Sequence, residues 1–299
     1  MKKLSVIIVT YNSLGDIFDC LDSVFRFSDI PEDELEVIVV ENNSPQGDEM
    51  IAGITNKYGN NVVSVRNDRN GGYGQGNNVG IRLAQAPVIL VMNPDVRLVE
   101  PVFGDALKAF ENPGTCMYGI KQYRSYANKS HNSILFSFRV NGYIRALLMP
   151  LFNRLNLYFA RFMYFSGSFF FVRKEMLASV GLFDESVFMY GEEEDIHYRL
   201  TKRFGAHHIY NPQRRYVHLS DAHKETLKYS IAMLDSLIAV NVKNGICKRR
   251  ILRNYLRITN VKLVREWVRV KSGQPREMMD MLIQFRNHIL SKIKEDKTA

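Results

Sequence analysis

The sequence predicts an α/β fold: a doubly wound, mostly parallel sheet followed by a C-terminal helical extension. Two observations carry this. In the first hundred residues, short aliphatic and β-branched runs alternate with helical patterns, as strand–helix–strand crossovers require. Beyond about Lys224 no such runs recur, and apolar residues fall at helical spacing.

The first run, Leu4-Ser5-Val6-Ile7-Ile8-Val9-Thr10, is nearly continuous and reads as a central strand buried on both faces. Tyr11-Asn12-Ser13 follows, then a helical pattern carrying Ile17, Leu21, Val24 and Phe25. Ser13 and Asp16 have capping-box spacing, with Asp in place of the usual Glu. Val37-Ile38-Val39-Val40 is a second strand, ending in Glu41-Asn42-Asn43-Ser44-Pro45. Val62-Val63-Ser64-Val65 is a third, a helix is expected over 76–85, and Val88-Ile89-Leu90-Val91-Met92 is a fourth. The fourth run stops at Asn93-Pro94-Asp95, where Pro94 has no N–H for a ladder and holds Asp95 in a rigid turn.

Ligands of such sheets bind beyond the carboxyl ends of the strands. Four segments converge there: Thr10-Tyr11-Asn12, Glu41-Asn42-Asn43-Ser44, the Gly/Asn-rich stretch 70–78, and Asn93-Pro94-Asp95. A dinucleotide fingerprint would place its glycines after the first strand, and none stands there. The stretch 70–78 reads instead as a loop passing close to a ligand, with a helix N-terminus nearby to favour phosphate.

Three scattered cysteines with no CxxC pair argue against a disulfide framework or zinc knuckle and fit a reducing cytoplasm. No secretory signal or membrane-length apolar run is visible, so the chain is expected to stay inside the cell. Its net charge of +9 is concentrated: residues 243–276 hold eleven Lys/Arg against Glu266 alone, leaving the remainder near −1.

The convergent segments resemble the nucleotide-binding half of a family-2 glycosyltransferase of the GT-A fold, most of all its rhamnosyltransferase-like members. The resemblance resumes at Gly167-Ser168-Phe169-Phe170-Phe171-Val172-Arg173 and Gly181-Leu182-Phe183-Asp184-Glu185, then at Met189-Tyr190-Gly191-Glu192-Glu193-Glu194-Asp195-Ile196 and Arg199. It spans roughly the first 220 residues with spacing in order. It implies a GT-A domain over 1–223, divided into a nucleotide-binding half (1–98) and an acceptor and catalytic half (99–223), with a basic helical extension over 224–299.

By that resemblance Thr10, Tyr11, Asn12 and Glu41 hold the base and ribose of a nucleoside-diphosphate sugar, Glu41 replacing the family's usual Asp. Asn78 and the Gly71-Gly72 backbone approach the diphosphate. Asp95 takes the metal role of the Asp-X-Asp motif, with Asn93 in place of the first Asp. Mn²⁺ or Mg²⁺ then leans on diphosphate oxygens and one further ligand, for which His218 is the candidate; an imidazole favours manganese. An inverting transferase also needs a carboxylate beside the acceptor hydroxyl. The family pattern places that base at Glu193, with Asp195 as its rival or as the residue that orients the helix. The acids also complement a helix N-terminus without chemistry.

The implied activity is metal-dependent, inverting sugar transfer to a glycan or polyprenyl-linked glycan acceptor in surface polysaccharide assembly. Two alternatives stand beside it. A nucleotidyltransferase wants a basic triphosphate loop near residue 10, and Tyr11-Asn12-Ser13-Leu14-Gly15 has no Lys or Arg. A degenerate sugar-nucleotide-binding scaffold is supported by the departures at Glu41, Asn93 and Glu193.

Residues 141–165 mix arginines with large apolar side chains, and Pro150 is expected to break them into two short amphipathic pieces that either pack over the sheet or form a wall or lid of the acceptor site and touch a lipid surface. In the extension, Leu227, Ile231, Leu234, Leu237 and Ile238 mark one helix. Arg249, Arg253, Arg257, Arg265 and Arg269 recur at multiples of four on another. Such a helix suits peripheral contact with an anionic inner leaflet through 243–276, an oligomer interface or a solvated face. No recognition motif points to nucleic acid.

Overall fold

The computed structural model describes residues 1–128, 133–219 and 226–298. The chain begins β1 (Leu4–Thr10), α1 (Leu14–Arg26), β2 (Leu35–Glu41), α2 (Gly47–Tyr58), β3 (Val62–Arg66), α3 (Gly72–Leu83) and β4 (Val88–Met92). It continues with β5 (Val96–Leu98), α4 (Phe103–Phe110), β6 (Met117–Tyr123), β7 (Ser133–Leu135), α5 (Gly142–Leu155), β8 (Met163–Phe165), β9 (Phe169–Arg173), α6 (Lys174–Ser179), α7 (Glu192–Phe204) and β10 (His208–His218). The helices α8 (Leu227–Lys243), α9 (Lys248–Lys271) and α10 (Glu277–Thr298) follow.

Eight strands form one sheet in the order β3-β2-β1-β4-β9-β6-β10-β5, while β7 and β8 pair separately. The β3-β2-β1-β4 half is all parallel, whereas β9 runs antiparallel to both β4 and β6. Side chains of β1 alternate between two cores. Val6 and Ile8 join Ile17, Leu21, Met50 and Phe103 on one face. Ile7 joins Ile38, Ile81, Leu177 and Ile196 on the other. Burial on both faces explains why these strands read as continuous apolar runs. A third cluster joins Phe136, Phe138 and Tyr164 to Leu234, Leu237, Ile251, Leu252, Phe285 and Ile289, so the C-terminal helices share a core with the β7–β8 region. The expected boundary at 223/224 lies outside the described residues.

Three local expectations are corrected. Ser13 precedes α1 but makes no side-chain cap; its hydroxyl donates to the Tyr11 carbonyl at 3.1 Å, and Asp16 lies 3.5 Å from Arg97. The helix expected at 76–85 starts four residues earlier, at Gly72. Its glycines serve packing: a Cβ on Gly80 would stand 2.5 Å from the Ile7 side chain, so α3 lies tightly on the sheet. Finally, Pro150 does not break α5. A proline deprives the carbonyl four residues back of its helical donor. Here that carbonyl is Ala146, and Arg265 of α9 donates to it at 3.0 Å.

Among the described residues, no helix is long and apolar enough to cross a membrane.

Candidate active site

Register brings the first two functional side chains together. After β4 the chain turns through Asn93, whose N–H donates to the Ser168 carbonyl at 2.9 Å and whose carbonyl accepts from Val96 at 3.2 Å. The strand β5 then pairs with β10 so that Val96 faces His218, and the Leu219 N–H donates to the Asp95 carbonyl at 2.9 Å. Asp95 Oδ1 consequently lies 3.2 Å from His218 Nε2. The two atoms are close but not aligned as a hydrogen bond, so Oδ1 is buried with its lone pairs open. On its other side His218 Nδ1 lies 3.3 Å from Gln122 Nε2. Gln122 Oε1 accepts from Tyr216, whose hydroxyl lies 3.0 Å from Ser168 Oγ. A ring held this firmly from behind presents its front nitrogen in a fixed direction.

An open carboxylate oxygen beside an imidazole nitrogen fits a divalent cation, and the nitrogen favours Mn²⁺ over Mg²⁺. Among the described residues no group of three or more His, Cys, Asp or Glu converges. The described residues bring two such donors together here, so a cation at this corner would need a bound ligand's oxygens to complete its shell.

Asp95 borders a cleft of about 400 Å³ that Tyr11, Asn42, Gly72, Tyr73 and Phe188 also line. Tyr11 is exposed at its mouth, and Asn12 takes a left-handed φ of 54° that turns the chain sharply after β1. Thr10 is fully buried, with its hydroxyl 3.4 Å from the Val40 carbonyl. Glu41 is also fully buried. Its carboxylate accepts from the N–H groups of Asn43 (3.1 Å) and Ser44 (2.7 Å) and from the Ser44 hydroxyl, so it shapes the loop after β2.

Gly71 precedes α3, and Gly72, at φ 89°, passes so near residue 188 that a Cβ would lie 1.9 Å from the Phe188 carbonyl oxygen. The N-terminus of α3 is already engaged: Gly72 N–H donates to Asn70 at 3.1 Å and Tyr73 N–H to Phe188 at 3.0 Å. Asn78 is not brought to this cleft. Its amide bonds the Phe183 backbone at 3.0 Å in both directions and Glu185 at 2.8 Å, beside a separate groove. The diphosphate contact expected of Asn78 has no counterpart in this placement.

The acids at the start of α7 divide sharply. Glu193 abuts Gly167, where a Cβ would come within 3.3 Å of its carboxyl. Gly167 lies in the turn 166–168 that also receives Asn93, and its carbonyl accepts from the Tyr73 hydroxyl at 2.5 Å. One turn therefore links the Asp95 corner to Glu193. Burial, then the charge of Glu194, raises the Glu193 pKa, against backbone N–H groups that lower it. Glu192 is pushed up to about 8 by burial and by Glu193.

Asp195 points elsewhere. It accepts from Arg199 Nε at 2.9 Å and Nη2 at 2.5 Å, and from Asn244, which caps the C-terminus of α8, at 2.7 Å. These contacts tie the start of α7 to the end of α8. Glu194 is fully buried and accepts from Ser137 N–H at 2.9 Å and Oγ at 2.6 Å.

Sequence reasoning missed Tyr73, Gln122 and His197. Only contacts between distant segments reveal them. His197 is fully buried; its Nε2 accepts from Phe165 N–H at 3.0 Å and its Nδ1 lies 2.7 Å from the Glu193 carbonyl.

Comparison with known proteins agrees with this architecture. The sequence profile of Glycosyl transferase family 2 matches residues 5–181. The poly(ribitol-phosphate) beta-glucosyltransferase of Bacillus spizizenii is 33% identical over 94 residues, 31% of this chain and 15% of its own. The poly(ribitol-phosphate) beta-N-acetylglucosaminyltransferase TarS of Staphylococcus aureus is 33% identical over 109 residues, 36% of this chain and 18% of its own. The matched stretch is thus under a fifth of either relative's length. The S. aureus TarS crystal structure superposes with TM-score 0.56 and 18% identity, over 86% of this chain and 43% of that one. A Pyrobaculum calidifontis mannosyltransferase, solved with GDP-Man and Mn²⁺, superposes with TM-score 0.64 and 16% identity, over 99% and 88%. The fold is the GT-A fold of these enzymes, and the chain belongs to glycosyl transferase family 2.

Proposed function

We propose that this glycosyltransferase moves a sugar, with inversion and with a divalent cation, from a nucleoside diphosphate to a hydroxyl of a glycan or lipid-linked glycan. Its place would be surface polysaccharide assembly at the cytoplasmic face of the membrane. The observation that carries the proposal is the buried, unbonded Asp95 Oδ1 beside His218 Nε2 at the edge of a 400 Å³ cleft. The poly(ribitol-phosphate) transferases and the GDP-Man complex among its relatives support the same class of chemistry.

In this reading Tyr11 and Asn12 form the mouth that takes the base, while Thr10 and Glu41 act from behind by fixing the loops after β1 and β2. The Gly71-Gly72 backbone lets the donor lie close to α3. Asp95 and His218 would hold Mn²⁺ or Mg²⁺, whose charge would stabilise the departing nucleoside diphosphate. Glu193 takes the proton of the acceptor hydroxyl as its oxygen bonds to the anomeric carbon. The bond from that carbon to the diphosphate breaks, and its electron pair leaves with the diphosphate. A single in-line displacement inverts the sugar and needs no covalent nucleophile. A raised pKa makes Glu193 a stronger base once ionised.

Calorimetric titration with UDP, dTDP and GDP, each with and without Mn²⁺, tests the proposal. Metal-dependent binding of one nucleotide is expected. A folded sample that binds none would leave a degenerate scaffold.

A further inference from the structure

The region from β7 to α9 carries a second concentration of chemistry, which shares no lining residue with the Asp95 cleft. A groove of about 370 Å³ lies between the start of α5 and the first half of α9, lined by Asn141, Arg249, Arg250, Arg253 and Arg257. Asn254 builds its floor: buried between these arginines, it donates to the carbonyls of Ser137 (2.9 Å) and Val140 (3.1 Å) and accepts from the Gly142 N–H at 3.2 Å. Among the described residues none of the four arginines has a carboxylate within ion-pair distance. Arg139 lies over the rings of Phe136 (5.4 Å) and Tyr198 (5.5 Å); burial first, and the positive charges of Arg161 and Arg250 after it, disfavour its charge against the opposing effect of Tyr198. Guanidiniums gathered in a concavity without counter-charge attract phosphate oxygens.

An apolar ridge begins where the groove ends. Arg257 lies 6.0 Å over the ring of Tyr143, and Tyr143, Leu147, Leu151 and Leu155, four residues apart along α5, are all about half exposed. The Arg265–Ala146 bond ties α9 alongside, where Val264, Trp267 and Val268 are 63%, 51% and 56% exposed. A contiguous apolar strip flanked by cations has the form of an interfacial membrane-binding surface.

We propose that this face docks the enzyme on an anionic phospholipid surface, with lipid phosphates in the arginine groove and the α5 ridge set into the acyl layer. The proposal deepens the membrane-face placement given above and is independent of the donor cleft.

Co-sedimentation with vesicles of phosphatidylcholine, alone or with phosphatidylglycerol, tests it on the full chain. Phosphatidylglycerol-dependent binding is expected. The double variant Arg250→Gln/Arg253→Gln should weaken it by roughly 30-fold, since each surface cation contributes about fivefold. Leu147→Ser/Leu151→Ser should also weaken it, and should remove whatever binding survives about 0.5 M salt. All four side chains are exposed or lie on the ridge, so unchanged thermal unfolding and unchanged nucleotide titration confirm an intact fold. Unaltered vesicle binding in either variant overturns the proposal. So does arginine-dependent binding of soluble polyphosphate with no effect of the ridge variant, which would make the groove a polyanion site. A dimer in sedimentation velocity that the ridge variant abolishes would assign the ridge to a second copy. Vesicle binding without any nucleotide binding would sink the transferase reading and leave this one standing.

Discussion

His197 donates its Nδ1–H to the backbone carbonyl of Glu193, 2.7 Å away and one helical turn back. The tautomer follows from the other nitrogen, which accepts from the Phe165 N–H at 3.0 Å and must therefore carry a lone pair. Burial and neighbouring His208 push the imidazole pKa well below its ordinary value, so the ring stays neutral. One side chain thereby sets the spacing between the start of α7 and the end of β8, from which the 166–168 turn departs. His197→Ala leaves the buried Phe165 N–H unpaired and opens a cavity where the ring stood, and is expected to cost about 3 kcal/mol of stability. Below its melting range, the variant should lose kcat while holding donor affinity within about threefold. Unchanged kcat in a folded sample would remove His197 from the positioning of Glu193.

Asp95→Ala and His218→Ala should each abolish or strongly weaken the Mn²⁺-dependent part of nucleotide binding, by about 10-fold or more for the imidazole. The metal-independent part should persist. Isothermal titration with and without Mn²⁺ reads both, and a His218→Ala protein with full manganese dependence would leave Asp95 without its partner.

Glu193 and Asp195 separate by the kind of damage they cause. Glu193→Gln is expected to keep nucleotide affinity and melting temperature while lowering turnover by about 10²- to 10⁴-fold. Asp195→Asn strips the charge partner from Arg199, whose guanidinium also donates to the Val180 and Leu182 carbonyls. It should lose about 3 kcal/mol of stability and retain the parent pH–rate profile at low temperature. The reverse pattern would exchange their roles.

The fold favours the protonated form of Glu192, whose pKa rises from 4.5 to about 8. That contribution is fully present below the unfolded value and is lost as pH climbs through the folded one. Glu192→Gln stays uncharged throughout. It is expected to melt higher than the parent at pH 9, by on the order of 2 kcal/mol, and level with it near pH 4. Equal differences at both pH values in thermal scans would contradict this.

The strands were legible because burial on both faces makes them continuous apolar runs: β4 spans Val88–Met92 as expected, and β1 spans Leu4–Thr10. The Gly-rich stretch was less so. Four glycines in α3 argue against a helix by propensity, and only contact with β1 and residue 188 shows what they allow. Asp95 stood out through Pro94, a local signal. His218 came only through the family resemblance, and Gln122 not at all: the two meet across 96 positions, and no pattern within a window of sequence encodes that meeting. Capping-box spacing misled at Ser13 because its ψ of 26° departs from the extended N-cap conformation and its hydroxyl is turned back toward the Tyr11 carbonyl.

The bond between Arg265 and the Ala146 carbonyl joins residues 119 positions apart, at the one turn of α5 that Pro150 leaves incomplete. During synthesis, α5 leaves the ribosome long before its missing donor exists. Local propensity cannot finish this helix early, because its stabilising contact is among the most distant in the chain. The α5 segment should therefore be among the last to gain protection in pulsed hydrogen exchange, after the β1–β4 sheet. Protection of 142–155 in step with β1 would refute that order. Maturation of the enzyme would then wait on its own C-terminal helices.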